Sequence, residues 1–134
     1  MNENKFNGMG KIYSKYRPSY PINFIDYLFT DVGISQSSII ADIGSGTGIL
    51  TGQLLEKGSR VYGIEPNDDM RAIAETNLSN FIGFTSVNGN AENTTIDDNS
   101  VDYITVAQAF HWFDREKFKK ECQRILKPEG KVIL

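Results

Sequence analysis

Beyond Gln36 the chain alternates between short apolar runs of strand length and longer stretches whose apolar residues recur at helical spacing. Such alternation predicts repeated strand-helix-strand units, that is, an α/β fold with a doubly wound parallel sheet and helices on both faces. Residues 38–43 (SIIADI) are the first expected strand. A helix opening near Thr47 or Gly48 would bury Ile49, Leu50 and Leu54, and Gly58 would end it as a glycine cap. Residues 60–65 (RVYGIE) read as the second strand. Pro66 and Asn67 then start a helix in which Asp68 and Asp69 suit the positive end of the dipole, and Met70, Ile73, Ala74 and Leu78 share a face.

A third strand fits within 81–87, before the turn-rich residues 88–90 and the polar stretch 92–100. The near-continuous apolar run 101–107 (VDYITVA) is expected of a strand covered on both faces, and is the fourth. Asp114 can cap a helix carrying Phe118, Cys122, Ile125 and Leu126; Pro128 and Gly130 end it, and a fifth strand begins at Lys131. Upstream, Pro21 suits the first turn of a helix burying Ile22, Ile25, Leu28, Phe29 and Val32, with Gly33 as its stop. The expected organisation is a helical N-terminal segment over 1–35 and a core over 36–134, within one domain. The last apolar run stops where a parallel sheet would normally continue, so an N-terminal piece of something longer is expected. An exposed edge of that kind can pair with a second copy, giving a homodimer.

Composition narrows the function classes. The chain has 134 residues, of which 40% are hydrophobic and 23% charged, a length and balance that suit one globular domain. With 14 Lys plus Arg against 17 Asp plus Glu and no basic cluster, nucleic acid and anionic membranes are poor partners. No run approaches the roughly 18 apolar residues of a membrane span, and the polar residues 1–10 lack a signal peptide's apolar stretch, so a cytoplasmic location is expected. One cysteine (Cys122) and one histidine (His111) make an internal disulfide impossible and a zinc centre implausible; no metal is expected.

The sharpest chemical signal is DIGSGTG over 42–48, at the end of the first strand and the start of a helix. Glycines there permit a tight turn and let a ligand lie directly against the backbone, at the carboxyl end of the sheet. Three glycines exceed what a bare turn needs, so a ligand over Gly44 and Gly46 is favoured. A dinucleotide loop would place its third glycine at 49, where Ile49 stands; here it comes at Gly48. A phosphate-gripping Lys-Ser/Thr pair is missing as well. Glu65 follows Asp42 by 23 residues at the end of the second strand, where a carboxylate can accept hydrogen bonds from a ribose diol and would reject a 2'-phosphate. Loop and carboxylate together call for a nucleoside ligand without pyrophosphate, and S-adenosylmethionine fits.

On five stretches the chain resembles the class I S-adenosylmethionine-dependent methyltransferases, of the small-molecule type that includes the trans-aconitate and ubiquinone-biosynthesis enzymes. They are IADIGSGTG (40–48), VYGIEPN (61–67), GNAE (89–92), VDYITVAQAFHWF (101–113) and RILKPEGKV (124–132), in family order along nearly the whole chain. Only the first is specific by itself. The resemblance implies a Rossmann-like sheet of order 3-2-1-4-5, with S-adenosylmethionine as cofactor and a small molecule as methyl acceptor. It implies that Asp42 and the Gly44 backbone, with Ser45, Gly46 and Gly48, hold the methionine end, and that Glu65 takes the ribose hydroxyls. Pro66, Asn67 and Met70 would flank the adenine, while Asn90 and the Ala91 backbone would address its amine and ring nitrogen. Relatives commonly carry Asp where Asn90 stands, so the charge is lost and a side-chain oxygen kept. Gln108 would lie beside the sulfonium. Tyr13, Tyr16, Arg17 and Tyr20 resemble the family's lid, in which Arg17 pairs with the carboxylate and Tyr13 covers the methionine end; equally, the tyrosines pack on the domain and Arg17 is solvated.

Methyl transfer from a sulfonium asks mainly for proximity, orientation and a dry site. His111, beside Trp112 and Phe113, is the candidate catalytic base where the acceptor is a hydroxyl or amine; it is also open to an acceptor-binding or a packing reading. Two rivals remain at the level of sequence: an NAD(P)-dependent oxidoreductase, weakened by the early Gly48, and a non-catalytic S-adenosylmethionine-binding module.

Overall fold

The apolar runs of strand length become strands. The computed structural model describes residues 19–106 and 114–133. It contains β1 (Ile39–Ile43), β2 (Arg60–Ile64), β3 (Phe84–Val87), β4 (Val101–Val106) and β5 (Leu126–Ile133). The helices are α1 (Ile22–Tyr27), α2 (Ile49–Glu56), α3 (Asp68–Asn77) and α4 (Arg115–Ile125). The strands pair in parallel in the order β3-β2-β1-β4-β5, as expected, and the register sets Asp42 on β1 opposite Gly63 on β2 and Thr105 on β4.

Alternation along the strands feeds two cores. Ile40 and Val61 point to the face where Leu50, Leu54 and Leu55 of α2, Ala74 of α3 and Ile25 of α1 bury their side chains. Ala41, Ile43, Ile64 and Ile104 point to the other face, against Phe118, Cys122 and Ile125 of α4. A fully buried Leu or Ile contributes about 1.5–3 kcal/mol relative to an exposed one, so the two layers hold the sheet between them and fix the strand ends. Cys122 is one such packing residue, and burial pushes its thiol up to about 12, far from reactive.

The helix boundaries follow local chemistry. Asn67 caps α3 by accepting from Met70 N at 3.0 Å, and Asp114 caps α4 by accepting from Lys117 N at 3.1 Å. α1 runs on through a wider turn, Leu28–Val32, to Gly33 at φ +106°, the stop that the sequence predicts. Three expectations change. Ile22 is exposed, because the inward face of this short helix is carried by Ile25 and Leu28. Ile49 is half-buried rather than buried, and the inward positions of α2 are Leu50, Thr51, Leu54 and Leu55. β5 begins at Leu126 and not at Lys131: Val101 pairs with Leu126 and Tyr103 with Lys131, and the residues between bulge out of the ladder. Pro128 and Gly130 read as a helix stop but serve that bulge, where a proline's missing N–H costs the ladder nothing.

β5 lies at the edge of the described sheet, with Val132 exposed. Among the described residues no helix is long and apolar enough to cross a membrane.

Candidate cofactor site

The site lies at the carboxyl ends of β1 and β2, where the sheet delivers Asp42 and Glu65 to the two sides of the glycine loop. Asp42 is 1% exposed. Its Oδ2 accepts from Thr51 Oγ1 at 2.6 Å and its Oδ1 from Thr105 Oγ1 at 2.9 Å. Burial pushes its carboxyl up to about 6 from an ordinary 3.8; the two threonine hydroxyls oppose the rise and the nearby charge of Glu65 adds to it. A ligand cation would therefore meet the field of Asp42 rather than its surface.

Glu65, immediately after β2, is 8% exposed. Its Oε1 accepts from Gly46 N at 2.8 Å and its Oε2 from Asn67 N at 3.0 Å, so one side chain pins the glycine loop to the entry of α3. Each carboxylate oxygen has capacity for a further donor, which suits a diol. Arg71 of α3 braces the same corner, donating to the carbonyl of Glu65 at 2.9 Å and to Asp68 at 2.6 Å.

The three glycines of the loop do different work. Gly44 and Ser45 both turn their N–H groups to the carbonyl of Ile64, at 2.9 and 3.1 Å, closing the turn. Those two donors are engaged within the turn itself. Gly46, at φ +60°, has no atom of the described residues within 4 Å of the position a Cβ would take, which leaves space over the loop among them. Gly48, at φ +90°, starts α2, and a Cβ there would come within 2.8 Å of Leu78 Cδ1, so it is the glycine of close helix packing. α2 carries no side-chain cap, which leaves its first N–H groups available to an anion. Beside them Thr47 Oγ1 is buried and has no hydrogen-bond partner among the described residues.

The remaining predicted residues divide in two. Pro66 and Asn67 are exposed at the rim next to Glu65, and Met70 is half-buried on α3. Asn90 is exposed, and its Oδ1 already accepts from Glu92 N at 3.0 Å and Asn93 N at 2.9 Å. Its oxygen therefore shapes the turn, and within the turn the N–H of buried Ala91 has no partner among the described residues. Tyr13, Tyr16, Arg17, Gln108, His111, Trp112 and Phe113 lie outside the described residues. Tyr20 is described: its N–H donates to Gln53 Oε1 at 3.0 Å, tying the incoming chain to α2. No group of His, Cys, Asp and Glu among the described residues could hold a metal ion.

Sequence reading missed Thr51, Thr105 and Thr47. Thr51 lies on the buried face of α2 and could have been found from the first-turn position opposite Asp42. Thr105 needed the β1–β4 register.

Residues 41–134 match the family model described as a methyltransferase domain. An uncharacterised methyltransferase of Mycobacterium tuberculosis is 37% identical over 122 residues, covering 91% of this chain and 47% of the relative. The chain thus spans about half the length of the curated relatives it matches. Among solved structures, an S-adenosyl-L-methionine-dependent methyltransferase from Methanococcus maripaludis superposes with a TM-score of 0.80 at 28% identity, covering 96% of this chain and 59% of the other. A phosphoethanolamine N-methyltransferase from Haemonchus contortus, solved with phosphomonomethylethanolamine and S-adenosylhomocysteine, gives a TM-score of 0.73 at 26% identity, covering 82% and 27%. A glycine loop strapped by Glu65, a sheet of order β3-β2-β1-β4-β5 and these likenesses lead to one conclusion: the chain belongs to the class I S-adenosylmethionine-dependent methyltransferase family.

Proposed function

We propose that the protein binds S-adenosylmethionine across the glycine loop and transfers its methyl group to a small-molecule acceptor. The observation that carries this reading is the loop itself: among the described residues there is open space above Gly46, with the Glu65 carboxylate fixed on one side and, on the other, an uncapped helix start beside a Thr47 hydroxyl without a partner. An acceptor for a diol, donors for a carboxylate and a buried negative field for an ammonium match the three polar parts of the cofactor other than its base. The bound cofactor supplies a methyl group already activated on a sulfonium. The protein's own work is to orient and to exclude water. Glu65 accepts the ribose hydroxyls, Thr47 Oγ1 and the first N–H groups of α2 face the carboxylate, Asp42 offsets the ammonium charge, and Ala91 N–H meets the adenine ring nitrogen. Arg17, Tyr13 and Gln108 belong to the methionine and sulfonium end of the same reading, and His111 to the acceptor side.

The small-molecule class rests on the resemblance, and on a Haemonchus relative solved with a small phosphorylated amine. A cytoplasmic setting agrees with a single buried, unreactive thiol. The reading of a nicotinamide-dependent oxidoreductase is not favoured: the third glycine comes at Gly48 and not at position 49, and the family is that of the methyltransferases. The test is transfer of radiolabelled methyl from S-adenosylmethionine into a fractionated cell extract by the protein and by a Gly44→Arg variant. Label in the low-molecular-weight fraction, absent with the variant, supports the reading. Label confined to nucleic acid or protein overturns the acceptor class, and no enzyme-dependent label overturns catalysis.

A further inference from the structure

We propose that Glu121, on α4, is a positioning residue that fixes the adenine side of the site by holding Thr94, and through it the turn that presents Ala91. The proposal rests on the reading above, in which the base lies against Ala91. Residues 88–100 contain no regular element beyond a single bridge between Asn90 and Asn93. Within them Thr95 stands at φ +66° and Asn99 at φ +51°. A β-branched residue in that region is strained and persists only where its surroundings hold it.

The hold comes from α4. Glu121 Oε2 accepts from Thr94 N at 2.8 Å and from Thr94 Oγ1 at 2.6 Å, across 27 residues of chain. Thr94 Oγ1 in turn accepts from Ile96 N at 3.2 Å. Arg124 closes on both carboxylate oxygens at 2.9 and 2.7 Å and reaches Asp98 at 2.6 Å, while Asn99 N and Ser100 N donate to the carbonyls of Arg124 and Ile125. Thr94 is wholly buried and Glu121 nearly so. A carboxylate in such a place is costly unless its donors are complete, and here they are. A second tie joins the same turn to the start of α4, where Asp114 N donates to Glu92 Oε1 at 3.1 Å.

The consequence is specificity. A fixed Ala91 N–H can donate only to a base with a lone pair at the facing ring nitrogen. Adenine has one there, whereas hypoxanthine carries a hydrogen at that nitrogen and sets donor against donor. If the turn is free to shift, the conflict is relieved and the preference falls.

The experiment titrates S-adenosylhomocysteine and S-inosylhomocysteine into the wild-type protein and into Thr94→Val, Thr94→Ser and Glu121→Gln, with thermal unfolding of each to show that it is folded at the temperature of titration. In the wild type we expect the adenine ligand to bind at least about tenfold more tightly, the worth of one well-made hydrogen bond against an unsatisfied one. Thr94→Val, which keeps only the backbone N–H bond to Glu121, should reduce that ratio to about twofold, and Thr94→Ser should restore it, since a hydroxyl, and not bulk, makes the side-chain half of the tie. If Thr94→Val does not fold, Glu121→Gln carries the comparison, with a ratio between the two. A role confined to stability would lower the unfolding temperature and weaken both ligands equally, and an unchanged ratio in folded Thr94→Val or Glu121→Gln overturns the proposal. Failure of the wild type to bind S-adenosylhomocysteine overturns it together with the reading it rests on.

Discussion

Replacing Asp42 by Asn should abolish a loss of stability between pH about 4 and about 6 and weaken binding of the cofactor. In the folded chain the Asp42 carboxyl is moved from an ordinary 3.8 to about 6 because it is buried, with the Thr51 and Thr105 hydroxyls recovering part of the cost. It binds its proton more tightly folded than unfolded. Between pH about 4 and about 6 the folded state therefore holds the extra proton, and stability falls as pH rises through that window. The displacement corresponds to about 3 kcal/mol, lost by pH 7 and regained on acidification to about pH 4. For a chain of this size that is roughly 10 °C in unfolding temperature. Asn carries no charge to bury, so thermal unfolding of Asp42→Asn should be flat across the same window and equal or exceed the wild type at pH 8. Addition of S-adenosylhomocysteine should raise the wild-type midpoint and leave the variant's almost unmoved, because the field opposite the ammonium is gone. Equal pH slopes for the two proteins would refute the burial argument, and an equal ligand-induced rise would remove Asp42 from the site.

The loop glycines should separate binding from folding. Gly46→Ala meets no atom of the described residues within 4 Å and should cost about 1–2 kcal/mol of stability from its positive φ, while weakening S-adenosylhomocysteine more than about tenfold in calorimetry. Gly48→Ala drives a Cβ to 2.8 Å from Leu78 Cδ1 and should cost about 2–4 kcal/mol in denaturant melts; equal stability losses at the two positions would contradict the assignment. Glu65→Ala should weaken the same ligand by about 1–3 kcal/mol, and unchanged affinity would take Glu65 out of the site. Glu121 is held down to about 2 from 4.5, chiefly by its hydrogen bonds from Arg124, a contribution of at most about 3 kcal/mol that is whole above pH 4.5 and lost as pH falls toward 2. Glu121→Gln should therefore be less stable than the wild type above pH 4.5 and converge with it as pH falls toward 2; a gap that does not close on acidification would contradict it.

Strands and helices were legible because each carries its own period: residues 101–106 are apolar enough to be a doubly covered strand, and Asn67 and Asp114 announce their helices as caps. The glycine loop and Glu65 were legible for a similar local reason, as a turn and a carboxylate at strand ends. What stayed hidden depends on contacts between distant segments. Thr105 serves Asp42 only because β1 and β4 pair in a particular register, and nothing near Thr105 in the chain marks it. Glu121 reads as a solvated helix position until α4 is laid against residues 94–98. The start of β5 was misplaced because Pro128 and Gly130 signal a break equally well for a helix end and for a bulge.

Isothermal titration of the protein with S-adenosylhomocysteine, with NADH as a parallel titrant, tests the central claim most directly. One-to-one binding of S-adenosylhomocysteine, no binding of NADH and a marked loss of affinity in Glu65→Ala are the results predicted. Binding of NADH with none of S-adenosylhomocysteine would contradict the assignment of the glycine loop.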